Sequence, residues 1–434
     1  MDKMADVLGR AGAWCGQNKY LSAIKNAFQN FMPLTIAGAI GVLWCNVLVN
    51  ESTGLGIFFK PIMALDFLNP AFQAVNFCTI SCITVGITLG IAQEIGVWNM
   101  GAERAGYIPG LVGLAAWLSV TNTSHMVEGA KEAFTGIAGN ELGATGLFTG
   151  MIIGVLSVEL FCFFEKQDAL KIKMPEQVPP GVARAFEVLV PATITLIITA
   201  CIGSACYNLT GLYLNDVIKN GIQGPLGAVG ATIPGVMIIY LVIMLFWLVG
   251  IHGNNMLSAV KEALFTPLAL ENVEKFNKGE KPTNIINMYF LQMCGEFGGS
   301  GVTIGLVIAI MIFGKREDNK AIATLSLVPG LFNINETVTF GIPMVLNPIL
   351  GIPFVVAPLV TIIIGYVLTV IGFCPVACLT VPWTTPPIVF GFLACGANVM
   401  GAVTQAILIV VSTVIYVPFL IAYEKYQNKQ AAEA

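Results

Sequence analysis

Charge is what this sequence has least of. Asp, Glu, Lys and Arg make up 11% of its 434 residues, hydrophobic residues make up 56%, and the mean hydropathy is +0.81. A soluble domain carries about 25% charged residues, so the composition excludes one and describes a polytopic membrane protein. Other absences narrow the chemistry. The sequence has no Gly-x-x-x-x-Gly-Lys-Ser/Thr phosphate loop, no His/Cys spacing of a metal site and no arginine-rich voltage-sensing helix. No metal and no cofactor are expected. Eleven cysteines are scattered, several inside apolar runs (Cys45, Cys78, Cys82, Cys162, Cys201), and read as small buried hydrophobes. The net charge of −4 sits mostly in loops, and no nucleic-acid partner is expected. Met1–Asn30 has no separate apolar core ahead of a small-residue cleavage site, so the first span is expected to direct insertion itself.

Apolar segments near the 20 or so residues that cross hydrocarbon follow one another along the chain. They are Phe31–Asn50, Phe72–Ala92, Ala105–Val120, Leu142–Phe164, Ala185–Cys206, Ile233–Gly250, Gly301–Phe313, Ile352–Phe373 and Met400–Ala422. Residues 1–30 read as an amphipathic surface helix, with Leu21, Ile24 and Phe28 at helical spacing among Lys19 and Lys25. Residues 31–206 form an N-terminal transmembrane half and residues 207–434 a C-terminal half, divided loosely at the charged, proline-rich linker Lys171–Arg184.

Basic residues set the orientation. Lys3, Arg10, Lys19 and Lys25 precede the first span and predict a cytoplasmic N-terminus. The loop after the fourth span, with Lys166, Lys171, Lys173 and Arg184, falls on the same side. The loops predicted outside, 51–71 and 121–141, carry only Lys60 and Lys131. In the second half the apolar segments are interrupted at Phe297-Gly-Gly-Ser-Gly-Val-Thr, at Asn333-Ile-Asn-Glu-Thr-Val-Thr-Phe-Gly-Ile-Pro and over Pro375–Gly396. Such breaks predict re-entrant hairpins and discontinuous helices, tolerated at membrane depth only where open backbone groups line a cavity.

Two stretches nearly free of charge each hold one titratable group. Between Lys320 and Glu424 only Glu336 is charged, and from Gly221 to Val260 only His252 titrates near neutrality. A carboxylate costs several kcal/mol to hold at membrane depth, so Glu336 is expected to be buried against protein or water. Around His252, Gly250-Ile-His-Gly-Asn-Asn255 gathers an imidazole with the amides of Asn254 and Asn255, a set suited to a polyhydroxylated ligand. The plainer reading is a helix cap, although a cap does not need histidine. Around Glu336 stand Asn333, Asn335, Thr337 and Thr339. The plainer reading there is a structural ion pair with some distant cation. As a functional group, Glu336 would accept a hydroxyl proton while that oxygen becomes a nucleophile. Trp383, in Val381-Pro-Trp-Thr-Thr-Pro386, and Trp247 are candidates to stack on a sugar, or equally to anchor at the interface. Glu296 is a weaker candidate that an exposed helix end explains as well, His125 reads as solvated, and Glu159 is expected to snorkel or pair with Lys166.

These motifs, with Asn30-Phe-Met-Pro33, Gly298-Gly-Ser-Gly301 and Asn347-Pro348, make the chain resemble a bacterial enzyme family. It is similar to enzyme IIC, the membrane component of phosphoenolpyruvate-dependent sugar phosphotransferase systems, in the lactose/cellobiose/diacetylchitobiose branch. The resemblance covers nearly the whole sequence. It implies an all-α polytopic fold of about ten transmembrane helices, near 20 residues each, with re-entrant hairpins. It further implies a dimerising first half, a homodimer in the bacterial plasma membrane, and a sugar site in the second half. The imported disaccharide would be phosphorylated on its 6-hydroxyl by the phosphocysteine of a IIB protein. Glu336 would bind that hydroxyl, His252 would orient it, and Asn254, Asn255 and Asn335 would lie nearby. The sequence carries no cysteine-bearing domain after the last span, so a separate IIB partner is expected. A proton-coupled secondary sugar transporter, with Glu336 protonated and His252 relaying, is the competing expectation.

Overall fold

The computed structural model describes residues 10, 13–14, 17–51, 56, 59–125, 134–175, 177–342, 344–345 and 347–433. Among them the strands are Ser124–His125 and Phe134–Thr135, an antiparallel pair; almost everything else is helix or turn. Five helices are long and apolar enough to cross a membrane: Lys19–Leu48, Ala144–Glu165, Pro180–Thr210, Gly351–Val370 and Val399–Gln430. Two bent pairs add to these. Lys60–Ser81 meets Ile83–Met100 at 41°, and Met288–Val302 meets Ile304–Phe313 at 59°. Ile108–Val120 and Ile233–Leu248 are shorter apolar helices.

The discontinuous helix expected at the glycine run is present. Its break is built by positive φ at Gly298 (70°), Gly299 (88°) and Gly301 (78°), a region other residues rarely adopt. Side-chain space closes the same door: a Cβ on Gly301 would lie 2.4 Å from the Phe354 ring. The sequence placed a span at Gly301–Phe313; the helical pair instead begins at Met288, because the apolar run Met288–Cys294 is continued through this break.

One compact unit comprises residues 17–38 and 75–227. Its first helix runs unbroken from Lys19 to Leu43, across the expected boundary between a surface helix and a span. Ala23, Ala27 and Phe31 explain the continuity: spaced by four, all buried, they form one stripe over Gly86 and Gly90. Most of residues 1–16, part of the expected surface helix, lies outside the described residues. Ala116, Trp117, Val120 and Ile153 form a buried cluster here. Several of the unit's charges are paired. Glu165 Oε1 accepts from Arg104 Nε (2.9 Å), Arg104 Nη2 (2.8 Å) and Arg184 Nη1 (2.9 Å). Glu159 pairs with Lys19 at 2.6 Å rather than with Lys166, a correction with a simple cause: the continuous first helix carries Lys19 alongside it.

The other unit comprises residues 39–74 and those from 228 onward. Helix Ile233–Leu248, the bent pair, and helices Gly351–Val370 and Val399–Glu433 frame a group of irregular segments. These are the turn at 249–257, the loop 296–303, the turn 332–336 and the stretch 371–388. The motifs around His252, Gly298–Gly301, Asn333–Glu336 and Trp383 fall on them, whereas Asn347 lies in the turn before Gly351.

Candidate functional site

Helix Ile233–Leu248 ends where Gly250 turns left-handed, at φ 82°. His252 then caps the short helix Gly253–Met256, its Nδ1 accepting from the Asn255 backbone N–H at 3.3 Å. An imidazole whose Nδ1 accepts carries its proton on Nε2 when neutral. That Nε2 lies 3.9 Å from Glu336 Oε1. So His252 is both a cap and the nearest titratable partner of Glu336; the two readings of the motif coexist. Beneath the imidazole is Trp247, with ring centroids 4.4 Å apart and planes tilted by 47°. Trp247 also meets Phe354 edge-on and is only 3% exposed. This corrects its place as an open sugar platform, because His252 and Phe354 already cover it.

Glu336 opens the short helix Glu336–Gly341, held by two asparagines. Asn333, at φ 62°, accepts from the Gly298 N–H (2.6 Å) and donates to the carbonyls of Trp383 (2.5 Å) and Thr385 (3.1 Å). It therefore binds three loops together and has no polar atom left over for a ligand in this arrangement. Asn335 is buried and donates to the Ser300 carbonyl at 2.7 Å, packed so close to Gly299 that a Cβ there would fall 2.6 Å away. Both asparagines position Glu336. The carboxylate is accessible rather than packed against protein, the water side of the expectation: its side chain is 49% exposed, and that of His252 37%.

Asn254 is also committed, donating from Nδ2 to Ser300 Oγ at 2.9 Å. Asn255 presents an exposed amide beside His252, and Trp383 stands 44% exposed on the loop that Asn333 fastens. Glu336, His252, Asn255 and Trp383 are thus each accessible, while Asn254, Asn333, Asn335 and Trp247 are tied or packed behind them.

Sequence reasoning missed two supports. Lys261, 6% exposed, forms an ion pair with Glu296, whose Oε1 also accepts from the Tyr240 hydroxyl at 2.8 Å. Glu296 is therefore not an exposed helix end. The available signal was helical spacing, since Lys261 follows Asn254 by seven residues and donates to its Oδ1 at 3.3 Å. Gln405, 1% exposed, accepts from the N–H groups of Ile388 (2.7 Å) and Gly391 (2.8 Å) and donates to the Met293 carbonyl (3.1 Å). It anchors the end of the Trp383 loop, and it is the one amide in the apolar run 399–422. Asn347, by contrast, caps the turn into Gly351–Val370, accepting from Ile349 and Leu350 at 2.9 Å.

A helical membrane protein whose broken segments converge on a carboxylate, an imidazole, an amide and an open indole is of the transport class that handles polar solutes. The family follows from direct comparison. Residues 25–358 match the model of "Phosphotransferase system, EIIC", and the chain belongs to that family. It is 33% identical to the oligo-beta-mannoside-specific EIIC component of Bacillus subtilis (strain 168), covering 98% of this chain and 94% of that protein. It is 30% identical to the cellobiose-specific EIIC component of Lactococcus lactis subsp. lactis (strain IL1403), over 98% of each. The fold matches the crystal structure of the transporter ChbC, the IIC component from the N,N'-diacetylchitobiose-specific phosphotransferase system. The TM-score is 0.88, at 29% identity and 97% coverage of both chains. The chain is accordingly a multi-pass membrane component of a bacterial phosphotransferase system.

Proposed function

We propose that this chain imports a β-linked disaccharide of the diacetylchitobiose or cellobiose type and presents its 6-hydroxyl for phosphorylation. The observation that carries the reading is the approach of His252 Nε2 to Glu336 Oε1, 3.9 Å, with both groups accessible. That separation is too long for a hydrogen bond between them. An oxygen about 2.8 Å from each fits beside the line joining them. A hydroxyl there accepts from the imidazole Nε2–H and donates to the carboxylate. Among the described residues Glu336 has no lysine or arginine within ion-pair distance, so its oxygens are open to a hydrogen bond from that hydroxyl.

The step then balances. The 6-hydroxyl oxygen attacks the phosphorus of a phosphocysteine on a separate IIB protein, its proton passes to Glu336, the S–P bond breaks, and the cysteine leaves as thiolate. Such transfers need chiefly in-line positioning and charge stabilisation. Trp383 would lie against a sugar face and Asn255 would bond a hydroxyl. Phosphorylation traps the sugar as an anion, which makes import irreversible without ion coupling. The site belongs to residues 207–434. Residues 31–206 are the proposed homodimer interface, and the exposed Leu189, Ile197 and Ile202 supply apolar surface for it. The N-terminus is assigned to the cytoplasm from the basic residues around the first span and after the fourth.

The competing reading is proton-coupled symport. The acids Glu94, Glu159 and Glu296 are each already engaged, by Asn26, Lys19 and Lys261 respectively, so none of these three is free to act as a relay for Glu336. Vesicles containing the purified protein test the two. Sugar phosphate accumulating only with a phosphorylated IIB protein supports group translocation. Free sugar accumulating, and abolished when the proton gradient collapses, overturns it.

A further inference from the structure

A chain of polar contacts runs behind His252 and Glu336. Lys261 and Glu296 form an ion pair with side chains 7% and 19% exposed, and the buried Tyr240 donates to the same carboxylate oxygen. From this pair Lys261 reaches Asn254 Oδ1 at 3.3 Å, and Asn254 Nδ2 reaches Ser300 Oγ at 2.9 Å. On the other side of the same serine, the Ser300 carbonyl accepts from Asn335 Nδ2 at 2.7 Å. Asn254 lies two residues after His252, and Asn335 immediately precedes Glu336. Two arms therefore leave Ser300, one ending at the imidazole and one at the carboxylate.

We propose that Lys261 and Glu296 are positioning residues for phosphoryl transfer: the ion pair pins Asn254 against Ser300 and so fixes the separation of His252 and Glu336. An ion pair is a costly way to fill this space, since two apolar side chains of equal volume are often as stable. What charge adds is direction. The ammonium has three donors, of which Glu296 and Asn254 use two, so the orientation of the Asn254 amide is set. With its Oδ1 held by Lys261, only Nδ2 is available to Ser300. A methionine at 261 would fill the volume but release the amide to rotate. The 249–257 turn would then lose its tie to the loop that holds Asn335. Reacting groups displaced by about 1 Å lose rate by about 100-fold while ground-state binding changes less.

The inference rests on the proposed function for its rate readout, so the test includes a readout independent of it. In Lys261→Met/Glu296→Gln both charges are removed together, which avoids leaving one unpaired in the interior. The variant should melt near the wild-type temperature and bind cellobiose or N,N'-diacetylchitobiose within about threefold of the wild-type Kd. At saturating sugar and with a IIB protein phosphorylated on cysteine, kcat should fall about 100-fold. Wild-type kcat in the double variant overturns the proposal and leaves the pair a packing feature. A structure of the variant reads the bracket directly. A His252–Glu336 separation increased by about 1 Å supports it, and an unchanged separation overturns it even if no sugar phosphate is ever formed. Sugar phosphate absent from the wild type as well would instead sink the parent reading.

Discussion

Glu165 and Glu336 are both carboxylates placed among membrane helices, and their surroundings differ in almost every respect. Glu165 has a side chain 3% exposed, and one of its oxygens takes three hydrogen bonds from two guanidinium groups. Glu336 is 49% exposed, faces an imidazole at 3.9 Å, and is steadied only through the backbone and asparagines beside it. The first arrangement spends the charge inside the protein. The second leaves a carboxylate available while immobilising the turn that bears it. A carboxylate on a membrane helix is thus informative about function only once its partners are known.

The comparison breaks first at Glu336. Glu336→Gln should keep the melting temperature in detergent and lower phosphoryl transfer by about 100- to 10,000-fold, the range for losing a general base. Transfer at the wild-type rate, measured with purified variant and phosphorylated IIB protein, would refute the role. Glu165→Gln should do the reverse. Arg104 and Arg184 would lose the buried one of the two anions they share, and because Glu187 remains the loss should fall below the roughly 3 kcal/mol of a buried pair deprived of its only partner. Denaturation in detergent should show the protein destabilised, with sugar affinity kept; a variant as stable as wild type would mean the arginines find other acceptors.

His252 sharpens the comparison on a smaller scale. His252→Ala removes one neutral hydrogen bond to the ligand, about 1 kcal/mol, and should weaken disaccharide binding about fivefold to tenfold in equilibrium titration. Unchanged affinity would reduce His252 to the capping role that its Nδ1 already performs.

Much of this was legible in the sequence, and the pattern of what was not is instructive. Glu336 and His252 stood out because each is the lone titratable group in a long apolar stretch, and they do converge. The broken helix at Gly298–Gly301 was readable because glycines at positive φ have few substitutes. Lys261 adjoins Glu262 at the edge of an apolar segment, where ions are ordinarily solvated, and Glu296, the one charge between Lys281 and Lys315, reads equally as an exposed helix end; only the fold brings the two together out of water. Asn254, Asn333 and Asn335, read from the sequence as ligand groups, bond neighbouring loops in this structure; local sequence cannot tell an amide that faces a cavity from one that ties loops, because both need the same residue at the same turn. The separate surface helix expected over residues 1–30 failed at its boundary, since the stripe Ala23, Ala27, Phe31 continues with the same spacing into the span.

The two tryptophans carry the contrast between support and contact to its finest scale. Trp247 is covered by His252 and Phe354, whereas Trp383 is 44% exposed on a loop fixed by Asn333 and Gln405. Trp383→Phe keeps an aromatic face and should weaken sugar binding only about threefold, while Trp383→Ala loses the face and should cost about tenfold. Neither should change the melting temperature. Trp247→Ala removes a large buried ring and should destabilise by about 3 kcal/mol, with affinity falling only as far as the imidazole above it shifts. If titration instead showed Trp247→Phe, which preserves most of the packing, losing as much affinity as Trp383→Ala, the indole beneath His252 would have to reach the sugar. The division of this site into a facing layer and a supporting one would then be wrong at its centre.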